Sequence, residues 1–189
     1  MKILCFGDSN TYGYDPCVPF GGRYPAEQRW VDLLAAKLGC VCINAGENGR
    51  EIPRRDWEFR YFDQLLKTHG PVDYAVIMLG GNDLFQGNSV ETVVQRMEHF
   101  LKSIALERSK ILLLAPPPMQ FGEWVFTQEM IDKSLALCRA YKALAERLNV
   151  LFADAGTWDI PLAFDGAHFT EEGHRAFAEG LTKQLSKGD

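Results

Sequence analysis

Short apolar runs rich in Val, Ile and Leu, at residues 2–6, 41–44, 74–79, 111–115 and 150–153, alternate along the chain with segments of helical period. Nothing else in the sequence restricts the fold as much. A run that is apolar at every position, rather than at every second one, must be buried on both faces. That is the condition of a strand in a parallel sheet covered by helices on each side. The intervening segments supply those helices. Trp30, Leu33, Leu34 and Leu38 share one stripe within residues 26–38, and Val90, Val93, Val94, Met97, Leu101 and Ile104 follow the i, i+3, i+4, i+7 rule. Residues 128–148 and 171–186 repeat the pattern, with Ser89 and Thr170 as fitting N-caps and Gly39 and Gly70-Pro71 as stops. The alternation predicts an α/β fold with a parallel sheet between two helical layers. With no internal repeat, low-complexity tract or linker, a single domain over residues 1–189 is expected.

Composition narrows the function classes. At 189 residues and 47% hydrophobic content, the chain can bury a core without metal or disulfide staples. The five cysteines are odd in number and form no CxxC, so free thiols are expected. A net charge of −5 with no Lys/Arg cluster argues against nucleic acid as a partner, since such affinity depends on neutralising phosphates. No apolar run approaches the ~20 residues of a membrane span. Residues 2–6 are too short for the apolar region of a signal peptide, and a cytoplasmic location is expected. Small-molecule chemistry is the better place to look.

Four short polar blocks stand in the loops of the expected sheet. The first strand runs into Gly7-Asp8-Ser9-Asn10, which offers a serine hydroxyl at a helix start. Taken alone, such a serine is more often a helix cap than a nucleophile. The second strand leads to the glycine-interrupted loop of residues 44–50, and the third to Gly80-Gly81-Asn82-Asp83, where an asparagine amide can face a developing oxyanion or simply cap a turn. Ahead of the last helix stands Asp165-Gly166-Ala167-His168, a carboxylate three residues before an imidazole. A carboxylate accepting from the far ring nitrogen fixes the tautomer of a general base, although an isolated Asp-x-x-His also describes an ordinary surface turn. His69, His99 and His174 have no such partner on a loop. The four blocks together follow strands one, two, three and five, so a nucleophile, a base with its orienting acid and oxyanion donors would converge on one sheet edge.

In these blocks the chain resembles the SGNH hydrolase (GDSL-type esterase/lipase) superfamily. The motifs are Gly7-Asp8-Ser9-Asn10, Gly49 within residues 44–50, Gly80-Gly81-Asn82-Asp83 and Asp165-Gly166-Ala167-His168, correctly ordered and spanning residues 7 to 168. The stretch 7–14 together with Asn48-Gly49-Arg50 is most similar to the small lipolytic arylesterase/acyltransferase branch. The resemblance implies a three-layer α/β/α flavodoxin-like sandwich with five parallel strands. It implies Ser9 as nucleophile, His168 as base and Asp165 as its partner, with the Ser9 N–H, the Gly49 N–H and the Asn82 side chain as the oxyanion hole. One departure stands at position 10, where the family usually carries leucine. Asn10 predicts a more polar surface beside the serine.

The expected activity is a serine esterase hydrolysing or transesterifying short-chain carboxylic esters through an acyl-enzyme, with a small-molecule ester as its partner. Tyr12, Leu84, Phe85, Met119, Phe121 and Trp124 fall in or next to the same loops and are the candidate substrate-binding residues. No cofactor is expected, and no metal, since the histidines lack ligand spacing of the HExxH kind. Carbohydrate O-acetylester hydrolysis by the same residues is the main alternative. A non-catalytic flavodoxin-like module holding a phosphate or flavin at the residue 9–11 turn is a distant one, because it leaves Asn82 and the Asp165/His168 pair without a job. Association into a homo-oligomer stays open.

Overall fold

A computed structural model of the chain describes residues 1–18 and 21–186; residues 187–189, the end of the expected domain, lie outside the described residues. The elements run β1 (Lys2–Gly7), α1 (Ser9–Tyr12), β2 (Tyr14–Asp15), β3 (Gly22–Arg23), α2 (Trp30–Leu38), β4 (Val41–Gly46) and α3 (Asp56–His69). They continue with β5 (Tyr74–Met78), α4 (Gly81–Phe85), α5 (Val90–Ser103), β6 (Ile111–Ala115), α6 (Gln128–Leu148), β7 (Leu151–Asp154) and α7 (Glu171–Leu185). The five long strands form one sheet of order β4-β1-β5-β6-β7, parallel throughout, while β2 and β3 pair as a separate antiparallel ribbon.

The central strands are buried on both faces, as their uninterrupted apolar sequences require. Leu4 and Phe6 of β1, Ala75 and Ile77 of β5, and Ile111 and Leu113 of β6 point into one core, which α3, α5 and α6 cover with Phe62, Phe100 and Tyr141. Ile3 and Cys5, Val76 and Met78, and Leu112 and Leu114 point the other way, against Trp30 and Leu34 of α2 and Phe177 and Leu181 of α7. The period-2 geometry of a strand thus divides each run between two cores.

Register decides where the loops emerge. Gly7 pairs with Gly46 on one side and Met78 on the other, so β1, β4 and β5 end level and release their loops at the same edge. Between β4 and β5 the connection order reverses across β1. In open α/β sheets that switch point, at the carboxyl ends of the strands, is where a ligand crevice forms.

One local feature departs from the sequence-based expectation, and one buried residue stands out. The helix expected over residues 26–38 is divided: Ala26–Gln28 form a 3₁₀ turn, Arg29 is extended with ψ 135°, and α2 starts at Trp30. The Arg29 guanidinium reaches forward to Asp32 at 2.8 Å, an ion pair that suits the break. His174, in the first turns of α7, is fully buried, accepting a long contact of 3.4 Å from the Trp30 N–H and packed on Tyr24 and Phe169. Burial holds its imidazole neutral, with a pKa near 3. No helix among the described residues is long and apolar enough to cross a membrane.

Candidate active site

Asp8 follows β1 directly and caps α1, its Oδ1 accepting from the Asn10 N–H at 3.0 Å. Gly13, at φ 91°, closes α1 after a single turn. This brief helix leaves Ser9 at its first position, 9% exposed, with its hydroxyl at the sheet edge. Ser9 Oγ lies 3.0 Å from His168 Nε2, and His168 Nδ1 lies 2.6 Å from Asp165 Oδ2. The carboxylate can only accept at Nδ1, so the ring proton belongs there and Nε2 is free to accept from the serine hydroxyl.

The residue 165–168 segment is folded on itself to make this possible. Asp165 Oδ1 accepts from the Ala167 and His168 N–H groups, both at 2.9 Å, and Gly166 takes φ 79° in the turn. Burial pushes the Asp165 carboxyl up, but the hydrogen bonds from the His168 ring and the two backbone N–H groups outweigh it and hold the group below its ordinary range. Asp165 is therefore a fixed anion, which an imidazolium needs beside it.

Asn10 clamps the two halves of this arrangement together. Its Oδ1 accepts from the Phe169 N–H at 2.9 Å and its Nδ2 donates to the Ala167 carbonyl at 3.1 Å. A leucine at position 10 could do neither. The polarity anticipated there is spent mostly on backbone of the His168 loop. Aromatic rings confine the imidazole further: Tyr14 lies 4.7 Å away and Trp124 meets it edge-on at 4.9 Å, between ring centroids.

In front of Ser9 is a pocket of about 50 Å³, lined by Asp8, Ser9, Asn10, Gly81, Asn82, Leu84, Phe85, Pro116, Pro117, Met119, Trp124, Ser134, Leu137, Ala167 and His168. Four of the six expected substrate-binding residues are there. The other two are not: the Tyr12 ring lies under the Arg23 guanidinium at 4.2 Å, and Phe121 is 64% exposed to solvent. The pocket is narrow beside the serine, and Leu84, Phe85, Met119 and Leu137 give it an apolar wall.

Asn82, in the first turn of α4, gives one Nδ2 hydrogen to the Arg50 carbonyl at 2.9 Å, which fixes the direction of the other. Gly49 stands in the loop after β4 at φ 74°. It is not among the residues lining the Ser9 pocket but lines an adjacent cavity of about 260 Å³ with Arg50, Trp57 and Tyr61. Arg50 itself packs over Phe6 at 4.2 Å and donates to the Gly7 carbonyl at 2.9 Å and to the Ala45 carbonyl, tying the ends of β1 and β4 together. Asp83, wholly buried, accepts from Arg96 on α5 at 2.8 Å and from the Ile52 N–H at 2.9 Å. Arg50 and Asp83 stand within the motif blocks read from the sequence, but their structural roles, and the pairing of Asp83 with Arg96, had no signal there. Among the described residues, no group of three or more His, Cys, Asp or Glu is placed to hold a metal ion.

The model of the GDSL-like lipase/acylhydrolase family matches residues 5–176. No curated protein matches the sequence at a significant level. Among solved structures, the aryl esterase of M. smegmatis superposes with a TM-score of 0.86 at 28% identity, covering 98% of each chain. A carbohydrate acetylesterase from Sinorhizobium meliloti gives 0.85 at 28% identity over 100% of this chain and 99% of the other. A lipolytic G-D-S-L family protein from Veillonella parvula shares the fold, with a TM-score of 0.79 at 21% identity over 99% of both chains.

Proposed function

Since the chain belongs to the GDSL-like lipase/acylhydrolase family and is a carboxylic ester hydrolase, we propose that it cleaves short-chain esters with Ser9 as nucleophile, His168 as general base and Asp165 as the anion that orients it. The observation that carries this reading is the unbroken chain of contacts from Ser9 Oγ through His168 to Asp165, at 3.0 and 2.6 Å, opening onto the small pocket that Asn82 also lines.

The chemistry follows from those atoms. His168 Nε2 takes the Ser9 proton as Oγ attacks the ester carbonyl, and Asp165 stabilises the resulting imidazolium. The tetrahedral oxyanion is met by the Ser9 N–H, the Gly49 N–H and the Asn82 Nδ2 hydrogen not given to Arg50. Collapse breaks the bond to the alkoxide, which leaves with the proton from His168. Water, deprotonated by the same nitrogen, then attacks acyl-Ser9, and the acyl–Oγ bond breaks as His168 returns that proton to Ser9 and the acid is released; an alcohol in place of water yields a new ester. Hydrogen-bond donors fixed before charge develops carry much of such catalysis, each worth about 10²–10³ in turnover.

The narrow apolar-walled pocket in front of Ser9 supports a short acyl group. On p-nitrophenyl esters from acetate to octanoate, kcat/KM is expected to be highest at the short end, and a serine-directed phosphonate is expected to abolish the activity. Ser9→Ala at wild-type rate would overturn the mechanism. A second reading, hydrolysis of acetyl groups on sugars, is supported by the 28% identity to the S. meliloti carbohydrate acetylesterase along the full length. Turnover of acetylated oligosaccharides with none of aryl acetates would select it.

A further inference from the structure

Two of the proposed oxyanion donors come from different loops, Gly49 after β4 and Asn82 at the start of α4. A pair of donors stabilises one oxygen only if both point at the same spot, so the relative position of the two loops matters to within a fraction of an ångström. We propose that the buried Asp83–Arg96 pair is a positioning device for the oxyanion hole, bracing the Gly49 loop against the Asn82 turn. The proposal rests on the assignment of Ser9, Gly49 and Asn82 given above.

The brace is built from one carboxylate and one guanidinium. Asp83 adjoins Asn82, and Ile52 lies three residues beyond Gly49; Asp83 Oδ2 accepts from the Ile52 N–H at 2.9 Å and so joins the two loops directly. Asp83 Oδ1 accepts from Arg96 Nη1 at 2.8 Å. The same Nη1 lies 3.5 Å from Glu51 Oε2, and Nη2 donates at 3.0 Å to Asn88 Oδ1, in the turn that leads out of α4. Arg96 therefore reaches from α5 to both loops at once. The Asn82 amide completes the frame by donating to the Arg50 carbonyl, one residue from Gly49.

The cost of the arrangement argues that it does more than hold the fold. Asp83 is 0% exposed, and burial pushes its carboxyl up despite the hydrogen bonds from Ile52 and Arg96 that pull it down. A buried ion pair of this sort is weak evidence for stability, because an apolar pair of similar volume commonly does as well. What apolar side chains cannot supply is a two-sided acceptor that fixes a backbone N–H on one loop and a fork on a helix at the same time. Asparagine cannot supply it either: one of its two positions is a donor and would face either the Ile52 N–H or the guanidinium. Lysine in place of Arg96 keeps the charge but lacks the planar fork that meets Asp83 and Asn88 from two separate nitrogens.

The test is a double-mutant cycle. Asp83→Asn is expected to lower kcat on p-nitrophenyl acetate about tenfold or more with KM nearly unchanged, at a temperature where circular dichroism shows the variant folded. Asn82→Ala removes one of the two donors that the brace aligns, so the loss in Asn82→Ala/Asp83→Asn is expected to fall about fivefold or more short of the product of the two single losses. Additive losses, or an Asp83→Asn variant that loses only melting temperature, would overturn the proposal. Should Asp83→Asn not fold, Arg96→Met and Arg96→Lys carry the same cycle from the more exposed end, with the lysine variant expected to retain more kcat than the methionine. Ser9→Ala at wild-type rate would instead strike the underlying assignment, leaving the two failures distinct.

Discussion

Asp8 and Ser9 are chain neighbours, yet burial treats them differently. The Ser9 hydroxyl is neutral and has His168 as its partner, while the Asp8 carboxyl is 7% exposed, and its desolvation pushes the pKa up to about 6 against the pull of the Asn10 N–H and of His168 and Arg50. A folded-state pKa above the unfolded one means that stability is fully present below pH 3.8 and is lost as the pH rises through about 6. At neutral pH the ionised Asp8 costs up to about 3 kcal/mol. Asp8→Asn keeps the cap oxygen and removes the charge, so its urea midpoint is expected to exceed that of the wild type at pH 7.5 and to match it near pH 4. Equal midpoints at both pH values would mean that the carboxyl is not desolvated as described. His174, whose pKa is depressed, acts in the opposite direction, its contribution being present above pH 6.5 and lost toward pH 3. The Asp-x-x-His and Gly-Asp-Ser spacings made the central residues readable, because those functions need neighbours in sequence. Asn10, Asp83 and Arg96 were not readable in the same way: a clamp or a brace is defined by what lies opposite, and Arg96 meets Asp83 only once α5 has packed beside α4.

At the scale of elements, α4 shows how a turn is made to present one side chain. Gly80 precedes it at φ 118°, with space so limited that a Cβ would lie 2.6 Å from Tyr141 Oη and 3.0 Å from Leu137 Cδ2. Tyr141 cannot easily yield, since its hydroxyl donates to the Leu79 carbonyl at 3.1 Å from a fully buried position on α6. Gly80→Ala is expected to cost about 1–3 kcal/mol from backbone strain alone and to lower kcat by displacing Asn82. A variant with unchanged melting temperature and rate would show that the turn is not constrained. The long elements were legible because their burial is regular: β6 is apolar at all five positions, and α5 carries its stripe between the Ser89 cap and Ile104. The β2–β3 ribbon and the break at Arg29 were not, since a two-residue strand carries no period and a 3₁₀ turn followed by a helix mimics one helix.

For the whole molecule, two apolar cores divided by one sheet do the work that cross-links do in smaller chains. All five cysteines are free, Cys5 within the core and Cys17 exposed. Burial and the neighbouring Cys42 push the Cys5 thiol well above its usual range, so it is a poor nucleophile where it lies. Under native conditions Ellman's reagent is expected to find Cys17 first and Cys5 only on unfolding, and dithiothreitol is expected to leave the melting temperature unchanged. A fall on reduction would reveal a disulfide. The order of the strands was legible only through family resemblance, because alternation of apolar runs specifies a parallel sheet without saying which strand sits beside which.

The hydrogen bond between Ser9 and His168 spans 159 residues. A growing chain therefore cannot form the proposed Ser9–His168 pair until the segment before α7 has been added and has docked beside β1. Ester cleavage is thus a late event in the life of each molecule. Its recovery after dilution from denaturant reports closure of a contact between distant parts of the chain, rather than the local helices that form on their own.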